Sequence, residues 1–224
     1  MTDSVLLDAD RELLLRLLRI PTVGPLERVE GEPPAELRRA LRDYATAAAE
    51  IGLRPVHNGC ASVADATRED VPLAVRRSAT PGFLEAQPSL VLRLGPELPP
   101  EVTVMFNVHL DTVSGLVPVG FDGSRFTGRG AIDAKGPAVA LLAGVRAALA
   151  ADASIGTKVG VLVQAVSGEE GGAMGTIGTR QLVEAGFTGR LNVFCEPTGL
   201  RYLPRATASM TACVRVDGRD AIDD

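Results

Sequence analysis

The chain has 224 residues, of which 46% are hydrophobic and 23% charged, with a net charge of −5. That length and apolar content support a packed core in one large domain, or one domain and part of another. The mild acidic balance, with both signs interspersed, excludes a basic nucleic-acid footprint; no apolar run is long enough to span a membrane; and Cys60, Cys195 and Cys213 are too few and too far apart for a disulfide framework or a thiolate zinc site.

The first twenty residues carry acids where a secretory leader would carry basic groups, and their apolar run is interrupted, so a reduced, cytoplasmic setting is expected. Residues 8–19 read as an amphipathic helix with Asp8 near its start, stopped by "PTVGP" at 21–25. Residues 34–51 predict a clearer helix: Leu37, Leu41, Tyr44, Ala48 and Ile51 share a face, Pro33 and Pro34 stand at the start and Gly52 at the end. Residues 58–88 show little periodicity and predict an irregular excursion, with one short element at 71–77 and His57 in a loop near Gly59 as a surface or structural side chain. Strands are expected at 90–95 and, more strongly, at 102–109. A loop follows over 115–130, with a short hairpin through "GFDGSRFTG". Residues 136–150 predict an apolar helix, 158–166 a nearly continuous apolar strand, 176–187 a helix ending at Gly186, 191–196 a buried strand containing Cys195 as a core thiol, and 211–218 a last alternating strand. Strands alternating with helices imply an α/β fold with a mostly parallel sheet flanked by helices.

In such sheets ligands bind beyond the carboxyl ends of the strands. His109 and Asp111 follow one predicted strand, Glu169 and Glu170 follow another, Glu196 ends a third, and Asp133 precedes a helix. Four loops thus bring one histidine, two aspartates and three glutamates to one sheet edge, which predicts a metal site. One imidazole among carboxylates suits zinc, cobalt or manganese. A carboxylate can bridge two ions, and adjacent glutamates can divide the labour, one on metal and one facing the substrate water. Each residue also has a plainer reading. His109 could be a strand-end histidine held by Asp111, Glu169–Glu170 an acidic pair at a helix start, and Lys135 a solvated loop charge with no role. "GRGAIDAKGP" lacks the order of a phosphate loop and has Asp133 where a dinucleotide fingerprint needs glycine.

Four stretches, "NVHLDTV", "GRGAIDAKGPAVALLAG", "VQAVSGEEGG" and "FCEPTG", occur together and in this order. The set resembles the co-catalytic zinc hydrolases that include aminoacylase, acetylornithine deacetylase, succinyl-diaminopimelate desuccinylase and carboxypeptidase G. The resemblance implies a zinc-exopeptidase-like catalytic domain over residues 1–205, with 206–224 as the first strand of a lid or dimerisation domain. It also implies that His109 and Glu196 bind a first metal, Asp133 bridges two, Glu170 binds the second, Asp111 orients His109 through its other ring nitrogen, and Glu169 is the general base. The cofactor implied is a pair of zinc ions, with cobalt or manganese as substitutes. The reaction implied is hydrolysis of an amide, in an N-acyl amino acid or a small peptide, by hydroxide held on the metal.

The chain departs from that pattern in two ways. Relatives are longer and complete the second metal site with a histidine from a returning C-terminal segment, whereas no histidine follows His109 here. Relatives often place an oxyanion-stabilising histidine just after the first lid strand, where this chain has Ile222. The chain therefore reads as C-terminally truncated. Three expectations stand side by side: a metal-dependent amidohydrolase, a non-catalytic relative that keeps a partial metal site as a binding or scaffold protein, and a chain completed by a homodimer partner or a complementary C-terminal polypeptide. No nucleic-acid or membrane partner is expected.

Overall fold

The computed structural model describes residues 6–205. The strand expected over 211–218, and with it the lid segment 206–224, lies outside the described residues. In chain order the elements are α1 (Asp8–Arg19), α2 (Leu37–Ala49), β1 (Leu53–Gly59), three short helices α3 (Val63–Ala66), α4 (Leu73–Ser78) and α5 (Pro81–Glu85), β2 (Ser89–Leu94), β3 (Thr103–His109), a small hairpin of β4 (Gly120–Phe121) and β5 (Phe126–Thr127), α6 (Lys135–Ala151), β6 (Gly160–Val166), α7 (Thr179–Glu184) and β7 (Leu191–Phe194).

Five strands form one sheet in the order β1-β2-β6-β3-β7. β6 pairs in parallel with β3, and β3 in parallel with β7; β2 is antiparallel to both its neighbours, β1 and β6. Four strands therefore run the same way and β2 alone reverses, so the sheet is mostly parallel, as expected, with one antiparallel strand. The parallel part is the half that carries the acidic loops. β1 escapes the sequence pattern because Pro55 interrupts it and most of its side chains face solvent. Both features belong to an edge strand, and its pairing slips between Pro55 and His57. His57 accordingly sits on a strand, not in a loop, with its ring 5.4 Å from that of Phe187.

The helices cover the sheet on both faces. α1, α2 and α6 pack on one side in the main core, where Leu17, Tyr44, Leu92, Val108 and Leu142 are buried together. On the other side Val91, Met105, Leu162 and Val166 meet Leu182 of α7. α6 begins two residues after Asp133 and buries Ala138, Val139, Leu142 and Val145, an i, i+3, i+4 stripe. Two polar contacts tie the helical layer. The Tyr44 hydroxyl donates to the Ala138 carbonyl at 3.0 Å, and Arg146 of α6 donates to Asp10 of α1 at 2.9 Å. Among the described residues no helix is long and apolar enough to cross a membrane.

Candidate metal centre

Strand register sets the site. His109 ends β3 level with Val166 of β6, and the ladder continues one step as the Leu110 N–H donates to the Val166 carbonyl at 3.0 Å. On the other side the Cys195 N–H donates to the Asn107 carbonyl at 2.8 Å, which carries the chain from β7 to Glu196. The three parallel strands thus release their chains at one edge. After β6 the backbone turns through Gly168, Gly171 and Gly172, all with positive φ (75°, 68° and 73°) that a side chain would oppose. This turn presents Glu169 and Glu170 to His109.

His109 is fully buried and sits at the centre. Its Nε2 lies 2.7 Å from Asp133 Oδ1, 3.9 Å from Glu196 Oε2 and 4.0 Å from Glu169 Oε2. His109, Asp133 and Glu170 each offer a ligand atom, and these atoms all fall within 4.8 Å of one another. Its Nδ1 lies 2.9 Å from the Asp111 carbonyl oxygen and 3.6 Å from the Asp111 carboxylate. Only the first distance is a hydrogen bond. The ring is held by the Asp111 backbone, where the sequence suggested its side chain. The carboxylate does different work: Asp111 Oδ2 accepts from the backbone N–H groups of both Glu169 and Glu170, each at 3.0 Å. Asp111, itself buried, pins the glutamate turn to the histidine strand.

The charges are crowded. Burial raises the Glu170 carboxyl to about 7, with the neighbouring Glu169 and Asp133 charges adding to it. Burial likewise raises Glu169 and Glu196 above the ordinary carboxylate range, against the pull of His109. Burial alone would disfavour the His109 imidazolium, but Asp111, Glu196 and Glu169 outweigh it and lift the ring to about 10. Both ring nitrogens face oxygen acceptors, so a neutral imidazole leaves a lone pair pointing at carboxylates. Either a second proton or a cation must stand between them. A divalent ion fits this donor set, a neutral imidazole edge and convergent carboxylate oxygens, better than a proton does.

All six residues named from the sequence converge here. Lys135, given no role, is neither solvated nor idle. Its ammonium is buried and donates to the carbonyls of Leu17 (3.0 Å) and Ile20 (2.9 Å) at the end of α1, two residues from Asp133. Its signal was its rarity, since the chain has only two lysines beside its many arginines. Cys195 is half-buried against the core rather than inside it, and burial pushes its thiol up to about 11.

Residues 105–209, which hold all six side chains, match the Peptidase family M20/M25/M40 model. A protein of Aeropyrum pernix named for LysW-lysine/LysW-ornithine hydrolysis is 37% identical over 119 residues, 53% of this chain and 31% of its own length. Human carnosine dipeptidase 1 superposes with a TM-score of 0.54 at 23% identity, over 84% of this chain and 38% of its own. An M20 family metallo-carboxypeptidase of Sulfolobus solfataricus gives 0.54 at 14% identity, over 84% and 37%. The fold is therefore the α/β fold of M20 peptidase catalytic domains, and the motif resemblance read from the sequence is to that family. The chain spans about a third of the length of the relatives it matches.

Proposed function

We propose that this chain carries the metal-binding half of an amide-bond hydrolase acting on an N-acyl amino acid or a small peptide. The observation that carries the reading is the convergence of His109, Asp133 and Glu170 within one coordination sphere, with Glu169 and Glu196 at its margin. His109 and Glu196 would hold a first divalent ion, Asp133 would bridge, and Glu170 would hold a second; zinc suits the set best. Such an ion supplies Lewis acidity, polarising the scissile carbonyl and lowering the pKa of water toward about 7.

The chain's own groups do the rest. Glu169 is half-exposed beside His109, and burial keeps its basicity above that of a free carboxylate. It takes a proton from the attacking water and returns it to the leaving amine. Asp111 fixes the turn that carries it. A second reading, a metal-binding relative without turnover, would use the same three convergent groups.

Metal content of the purified chain after dialysis against buffered zinc separates the two. Two retained ions, with hydrolysis of N-acyl amino acids lost in Glu169→Gln while metal is kept, is the expected result for the hydrolase. One ion, lost in both His109→Ala and Glu196→Ala, with no turnover, supports the binding relative. No retained ion overturns the centre itself.

A further inference from the structure

We propose that a second pocket of this chain, separate from the metal ligands, binds a free aliphatic amino acid. It has a volume of about 290 Å³ and lies between the segment leaving α1 and the loop after β3. Its walls are largely aliphatic, from Leu18, Val23, Val117 and Val119. Four charged side chains line it: Arg19 is exposed, Lys135 is spent on the carbonyls at the end of α1, and Arg129 and Glu32 are both anchored on one residue. Arg129 Nε donates to the Gly115 carbonyl at 3.1 Å, and Glu32 accepts from the Gly115 N–H at 2.6 Å. They nonetheless form no ion pair with each other, and no other carboxylate among the described residues pairs with Arg129. Gly115 has φ +102°, and a Cβ there would stand 2.7 Å from Arg129 Nη2, so glycine is what lets the guanidinium lie against the loop.

An independent observation marks the same pocket. Thr22, which lines it, is only 1% exposed, and its Oγ1 has no hydrogen-bond partner among the described residues. Buried hydroxyls are normally bonded, so the protein alone does not account for this one. A ligand that satisfies all three groups carries a carboxylate for the Arg129 fork, an ammonium for Glu32 and a second acceptor for the Thr22 hydroxyl. The aliphatic walls take a branched side chain of leucine size.

The proposal does not rest on the hydrolytic reading, and its test keeps the two apart. Calorimetric titration of the full chain in excess chelator removes any binding through the metal centre. L-leucine is the probe, with 4-methylpentanoate and 3-methylbutylamine as analogues that lack one charge each. The expected result is saturable one-site binding of leucine, with each analogue about tenfold weaker or worse. Arg129→Gln should weaken leucine about tenfold, and Thr22→Val, which keeps shape, about threefold. Thermal melts confirm that the variants are folded, and Arg129→Lys should restore part of the loss. Absence of saturable leucine binding up to about 10 mM, affinity unchanged in both variants, or an analogue binding as tightly as leucine would each overturn the assignment.

Discussion

His109 shows how one side chain can be made to need a cation. The Asp111 carbonyl accepts from Nδ1, and Asp133 faces Nε2 at 2.7 Å; without metal, burial opposes the doubly protonated ring, but Asp111, Glu196 and Glu169 favour it and lift the group to about 10. Metal binding has to displace the Nε2 proton. Zinc titration at pH 7 in weak buffer should therefore release at least one proton per ion, and more if Glu170, raised to about 7, is also a ligand; a pH-stat or indicator dye reads the count, and His109→Ala should abolish it. Asp111 allows a sharper test. Its Oδ2 holds two backbone N–H groups of the glutamate turn, which alanine would release and asparagine could still accept. Asp111→Ala should weaken zinc about 10- to 100-fold, and Asp111→Asn distinctly less, by competition with a chromophoric chelator. Equal losses would mean that the charge of Asp111 matters and its grip on the turn does not. The ligand-type residues were legible from sequence because each follows a strand or precedes a helix in a short, glycine-marked loop. Which oxygen of Asp111 meets His109 was not, because spacing tells which residues are near and not which atom faces which.

At the scale of elements, the legible parts were those with a clean period. α1, α2, α6, β2, β3 and β6 lie within a few residues of their predicted spans, since each repeats its apolar side chains at 3.6 or runs apolar throughout. The misses share another cause. β1 contains Pro55 and faces solvent, and the reversal of β2 leaves no mark in a strand that is buried almost throughout. α7 is shorter than its pattern because residues ahead of Thr179 serve the glutamate turn, where Gly178 packs so closely that a Cβ would stand 2.1 Å from the Ser167 carbonyl. The α1–α6 pairing under the centre has a polar tie that no period reveals. Asp10 is nearly buried; burial would raise its carboxyl, but the Arg146 guanidinium and the Leu7 N–H hold it below the ordinary 3.8. A lowered carboxylate contributes stability that is complete above the unfolded value and is lost as pH falls through the folded one. Asp10→Asn should cost about 2 kcal/mol at pH 7. In urea melts the gap between wild type and variant should close below about pH 4; a gap constant with pH would mean that Arg146 does not sense the charge.

For the whole molecule, the same centre joins parts of the chain that are otherwise loosely coupled. β7 pairs with β3 alone among the described strands, and Leu191 and Phe194 on it are exposed, so this margin of the sheet has the weakest support. Glu196 leaves β7 two residues beyond its end and comes within 3.9 Å of the histidine of the central strand. An ion held by His109 and Glu196 would therefore tie the edge strand to the core, and through Asp133 and Glu170 also to the start of α6 and the glutamate turn. Since the unfolded chain offers no such arrangement, binding adds directly to folding stability. At a free zinc concentration about a hundredfold above the dissociation constant the gain should be about 2.7 kcal/mol. For a chain of this size that is a rise in Tm of about 5–10 °C, reversed by chelator. The distribution of the gain is the more telling measurement. Hydrogen exchange should slow most at 191–196 and at 168–172, segments that the sheet and helices leave poorly anchored, and little in β2 or β6. Glu196→Ala should remove the protection at 191–196. A Tm rise with no local slowing there would mean that the ion is held without Glu196, by the three groups nearest one another, His109, Asp133 and Glu170.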